Sequence, residues 1–126
     1  MHRVINAVII EDYKLLLFLK RGDSILPGGK PLLDESDLKC LMREFSEENP
    51  SSEVLIGDFY GTFIGKAPHR LDVIEARVYF AKFVKKSMET TNEIEKAEFV
   101  SDFGKYKISD VTNKIIASLK RDGYLK

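Results

Sequence analysis

Glu44, Glu47 and Glu48 stand at i, i+3 and i+4 in a stretch that reads as helix, and Pro27-Gly28-Gly29 precedes them. At about 100° per residue the three carboxylates share one arc of a helical surface. Like charges so placed repel by roughly 0.2–0.5 kcal/mol per pair in water. A partly buried pair about 6 Å apart repels by about 3 kcal/mol at an effective dielectric near 20. A divalent cation would remove that repulsion and use the oxygens as ligands. All-oxygen ligation suits Mg²⁺ or Mn²⁺, and the sequence offers no Cys or His cluster for zinc. A Pro-Gly-Gly turn can turn backbone N–H groups toward phosphate oxygens, and Arg43 offers a rigid fork to orient its neighbour Glu44. The plain alternative is a solvated acidic face at the end of a surface helix.

These residues need elements to position them. Residues 3–10 and 14–20 are short apolar runs separated by Glu11-Asp12-Tyr13, the pattern of two strands joined by a tight turn. Gly22-Asp23 and Pro27-Gly28-Gly29 then break regularity. A helix is predicted over Asp37–Glu48, capped by Ser36 and stopped by Pro50, with Leu38, Leu41, Met42 and Phe45 facing the core. Strand-like runs follow at 53–64 and 71–84, the second carrying Val73, Glu75, Arg77 and Tyr79 on one face. A short strand at 97–101 precedes a closing helix. Ser109 caps that helix, Val111, Ile115, Ile116 and Leu119 form its buried stripe, and Gly123 suits a left-handed end. Such an order predicts a mixed sheet flanked by helices, and not a doubly wound parallel sheet.

With 126 residues and 44% hydrophobic content, the chain is expected to form one domain, 1–126, with a real core. Its 20 basic and 20 acidic side chains balance, which argues against gripping nucleic acid or an anionic membrane by overall charge. The lone cysteine, Cys40, has no partner for an internal disulfide and is read as a small packing residue. The apolar run Leu15–Leu19 is too short to span a bilayer, and the N-terminal residues lack a secretory pattern. A cytoplasmic location is expected.

The stretch from Gly29 to Glu48 resembles the signature of the Nudix hydrolases. Gly29, Glu35, Arg43, Glu44, Phe45, Glu47 and Glu48 all fall at the family spacing, and the similarity in element order extends over essentially the whole chain. Pro50 and Ser51 depart from it, standing where the family has a glycine and an apolar residue. Proline fixes φ and pushes Asn49 out of helical geometry, so the chain leaves the helix by another path.

The resemblance implies an α/β/α sandwich of the α+β type with a mixed, curved sheet. It implies a Mg²⁺-dependent hydrolase, with Mn²⁺ as substitute, that cleaves a phosphoanhydride bond by attack of water on phosphorus. The substrate would be a nucleoside triphosphate or another nucleoside diphosphate-linked small molecule. Glu44, Glu47 and Glu48 would be metal ligands, with Glu44 also helping to activate the water. Arg43 would hold Glu44, Glu35 would support the helix carboxylates, and Gly28 and Gly29 would shape the turn near the phosphates. A further carboxylate often serves as ligand or base in the family, and Glu93 is the candidate, ahead of Glu95. Phe99 replaces a more usual tryptophan and is expected to pack in the core. Arg21, ahead of Lys20, is the candidate phosphate contact, and Lys66-Ala67-Pro68-His69-Arg70 is a basic loop able to reach the far end of a substrate. The partner expected is a small nucleotide-type molecule, with no nucleic acid or membrane, for a monomer or homodimer. The alternative reading is a nucleotide-binding module on the same fold that does not hydrolyse.

Overall fold

The computed structural model describes residues 2–67, 72–91 and 93–126. Strand β1 (His2–Val8) pairs in parallel with β7 (Val73–Lys85), whose other edge takes β6 (Glu53–Lys66) antiparallel. The two-residue strand β5 (Gly28–Gly29) closes the far edge against β1, giving the mixed order β5-β1-β7-β6. A second, antiparallel sheet has β3 (Lys14–Lys20) at its centre. It pairs with β2 (Ile10–Glu11) and β4 (Asp23–Ile25) on one side and β8 (Ile94–Val100) on the other. Asp12 and Tyr13 both take positive φ, 51° and 61°, the backbone of a tight hairpin turn between β2 and β3.

Alternation along the strands builds two cores. Leu15 and Leu17 of β3 join Val8, Ile74 and Val78 on one side, under helix α2 (Asp110–Arg121). Leu16 and Phe18 join Ile5 and Ala7 on the other, under helix α1 (Asp37–Glu48). The sheets therefore lie between two helices, as the α/β/α expectation requires. Ser36 and Ser109 cap the helices, accepting from the amides of Lys39 and Thr112. The expected stripe of α2 is buried, and Gly123 is left-handed at φ 86°.

Three expectations need correction. Leu38 and Met42 do not face the core; they are 55% and 48% exposed, while Cys40, Leu41, Phe45 and Glu48 are buried. The helix is rolled toward its acidic arc because its first turn is pinned to the sheet. Asp37 accepts from Arg77 Nε at 2.7 Å and from the Tyr79 hydroxyl, both on the strand face noted in the sequence. Pro27-Gly28-Gly29 is not a free turn, since its glycines pair with Ile5 and Asn6. Finally, the strand expected at 97–101 already begins at Ile94, where β3 continues the pairing past an irregularity at Leu19/Lys20.

Candidate active site

Gly28 and Gly29 are where the backbone comes closest to the helix. Gly28 has φ +132°, and a Cβ there would lie 2.0 Å from the Ile5 carbonyl oxygen. A Cβ on Gly29 would lie 2.5 Å from Glu44 Oε1, so only glycine lets that carboxylate rest on the strand. A cleft of about 320 Å³ opens beside them, lined by both glycines, Glu44, Glu48 and Lys20.

Arg43 organises the acidic end. Its Nε and Nη2 grip Glu35 at 2.8 and 2.9 Å, the two-point geometry that a guanidinium gives a carboxylate. Nη2 also donates to the Lys30 carbonyl at 2.9 Å, and Nη1 donates to Glu44 at 3.0 Å and Glu47 at 3.4 Å. Glu35 in turn accepts from the Leu32 amide at 2.9 Å. Arg43 and that amide hold the Glu35 carboxyl down to about 2. The Cys40 thiol, buried beneath, is pushed up to about 12 by burial.

The three helix glutamates occupy different ground. Glu47 is half exposed on the rim, facing Arg43. Glu44 is largely covered, and burial raises its pKa against the opposing pull of Arg43. Glu48 is 7% exposed and its pKa is raised to about 8, first by burial and then by the charge of Glu44. Its Oε1 is buried with no hydrogen-bond partner among the described residues. No group of three or more Asp, Glu, His or Cys side chains among those residues is placed to hold a metal ion. A lone buried carboxylate oxygen beside a second carboxylate nevertheless fits a hard cation, which takes oxygen ligands and offsets the desolvation of both. Glu44 and Glu48 are the residues able to hold one there, with Glu47 on the rim.

Glu93 lies at a neighbouring point, held by Lys20 at 3.1 Å and Arg21 at 2.9 Å. Those two cations, Lys20 foremost, lower its pKa. Arg21, at a positive φ of 51°, also uses its own amide to bind Glu95 at 3.1 Å. The loop before Glu93 is latched to the end of α1. Thr91 donates its amide to the Glu48 carbonyl at 3.0 Å and its hydroxyl to that of Glu47, while Asn49 Nδ2 reaches the Ser87 carbonyl at 2.8 Å. Asn49 itself has φ −143°, the non-helical exit expected before Pro50. Phe99 packs edge-on against Phe83 in the α1 core. His69, with Pro68 and Arg70, lies outside the described residues. Asn6, which also lines the cleft, was not singled out from the sequence; its place as the polar interruption of the apolar run Val4–Ile9 was the available signal.

No protein-family model matches the chain, and no curated protein matches it in sequence. Solved structures do match in fold. A MutT protein from Methanosarcina mazei Go1 is 21% identical, with 96% of this chain and 94% of that one covered at a TM-score of 0.79. An ADP-ribose pyrophosphatase from Streptococcus suis is 16% identical over 97% and 92% of the two chains, at 0.74. A NUDIX-family hydrolase from Clostridium perfringens is 18% identical over 95% and 97%, at 0.68. The fold of this chain is that of the Nudix hydrolases.

Proposed function

We propose that the protein is a Mg²⁺-dependent pyrophosphohydrolase of a nucleoside triphosphate or another nucleoside diphosphate-linked substrate. The observation that carries this reading is the unpartnered, buried Glu48 Oε1 beside Glu44 in a cleft floored by Gly28 and Gly29. The pyrophosphohydrolase activity named for the Streptococcus suis neighbour supports it.

Glu44 and Glu48 would hold the cation from inside the cleft and Glu47 from its rim. When bound, the cation neutralises phosphate charge and acidifies a water for attack on phosphorus. Arg43 is a positioning residue: gripped by Glu35, it presents Nη1 to Glu44 and keeps that carboxylate against Gly29. Lys20 lines the cleft and shares Glu93 with Arg21, and phosphate oxygens would compete with Glu93 for both cations. Release from that pairing would free Glu93 as a further ligand or as the acceptor of the water proton. Water adds to phosphorus, and the bridging oxygen leaves with the second phosphate.

The test is hydrolysis of nucleoside triphosphates, dinucleoside polyphosphates and nucleotide sugars with Mg²⁺ or Mn²⁺, with product identification. Metal-dependent turnover is expected, falling about 10²–10⁴-fold in Glu48→Gln with the fold intact. Tight nucleotide binding without turnover on any substrate would instead establish the binding module. Full activity in Glu48→Gln would remove the site assignment.

A further inference from the structure

The cleft also has an apolar lining that the hydrolytic chemistry does not use: Val4, Ile25, Leu26, Ile74 and Val111. Its charged members beside the glutamates are Lys20, which acts electrostatically on Glu44 and Glu48, and Lys30, whose carbonyl receives Arg43. Ser109 and Thr112 also line it, but their hydroxyls bond each other at 3.0 Å and Ser109 Oγ caps α2. Asn6 is the one side-chain amide among the lining residues. Its Nδ2 donates to the Pro27 carbonyl at 3.3 Å and the Leu26 carbonyl at 3.5 Å, and two acceptors there orient the amide. Its Oδ1 has no hydrogen bond among the described residues and is not sealed from solvent. The cleft thus presents the Asn6 Oδ1 acceptor and no free donor from Asn6. The whole cleft, about 320 Å³, is at the small end of ligand sites.

We propose that Asn6 is a specificity residue that selects a nucleobase bearing an exocyclic amino group. This rests on the pyrophosphohydrolase reading and deepens it. An amino group supplies the N–H that Oδ1 lacks. An oxo group at the same place would face Oδ1, acceptor against acceptor. Uracil and thymine carry one N–H, but it is flanked by two carbonyls that meet the same oxygen. An acceptor left unpaired once a base covers it discriminates far more strongly than a missing methylene does.

The experiment compares dCTP with dUTP, and dGTP and dATP with dITP, which differ by the amino group. It uses wild type and Asn6→Leu, each with Mg²⁺. Wild type is expected to favour the amino member of at least one pair by about 10- to 100-fold in kcat/KM, mostly through KM. In Asn6→Leu the ratio should fall to within about threefold. Equal use of both members by wild type, or an unchanged ratio in the variant, overturns the proposal. The ratio is internal to each protein, so partial loss of fold does not mimic the result; Asn6→Ala replaces the leucine variant if that fails to fold. Calorimetric titration with dCMP and dUMP decides the same question by binding if nothing is turned over. Turnover without base preference sinks this inference alone, whereas absence of both turnover and nucleotide binding sinks the pyrophosphohydrolase reading with it.

Discussion

Helix α2 buries Val111, Ile115, Ile116 and Leu119 and turns Asp110, Asn113 and Lys114 outward. Helix α1 has the same length and a cap of the same kind, yet it buries Glu48 and leaves Leu38 and Met42 half exposed. In α2, the large apolar side chains are buried with the small polar Thr112 and Ser118 beside them, and no charged group is. In α1, the roll that carries Glu44 and Glu48 into the cleft exposes two apolar side chains and desolvates a carboxylate. Arg43, Glu35 and the Asp37–Arg77–Tyr79 contacts hold that orientation. Local rules fail where a site is built, and neighbouring interactions offset the cost.

The contrast can be broken most forcefully in α2. Ile115→Ala removes a fully buried side chain and should destabilise by about 2–5 kcal/mol in denaturant unfolding. The response of the melting temperature to added Mg²⁺ should survive that change. A stability loss below about 1 kcal/mol would contradict the close packing of that face.

Acid–base linkage sharpens the α1 side. In the metal-free protein Glu48 has a folded pKa of about 8 against an ordinary 4.5, so folding favours its protonated form. That contribution is complete below about 4.5 and is lost as pH rises through 8, an effect on the order of a few kcal/mol. Glu35, held near 2 by Arg43, works in the opposite sense: its contribution is present above 4.5 and is lost as pH falls through 2. Melting curves of metal-free protein should therefore decline between pH 4.5 and 8, and Glu48→Gln should flatten that decline. A metal-free wild type whose stability rises across the window would mean that Glu48 is not desolvated as described.

Arg43→Lys keeps the charge but loses the fork, leaving Glu35 and Glu44 without a shared partner. Turnover should fall about 10- to 100-fold, the usual cost of disturbing the groups behind a metal site. A larger change in melting temperature than in turnover would mark Arg43 as a fold residue instead. The smallest effects belong to Leu38→Ala and Met42→Ala, each expected within about 0.5 kcal/mol of wild type. Losses of core size at either position would restore the apolar-arc reading of α1.

The order of elements was legible along the chain. Ser36 and Ser109 mark the helix starts, Pro50 marks a stop, and alternating apolar runs mark the strands, because caps and periodicity are local physics. The acidic cluster and its Arg43 neighbour were legible too, as residue types at helical spacing. The rotation of α1 was not, since Leu38, Met42 and the glutamates lie on adjacent arcs and a wheel cannot weigh them. The partners of Arg21 were equally hidden, because Glu93 and Glu95 are far away in sequence and meet it only when β8 pairs with β3.

By itself, then, the order of residues determined two capped helices, their intervening strands and a row of carboxylates on one arc of a helix. Only the tertiary structure decided which carboxylate is buried, which glycine lets Glu44 touch the backbone, and which way the Asn6 amide faces. Those outcomes depend on desolvation and on contacts between distant segments, and both arise only once the sheets and helices have closed on one another.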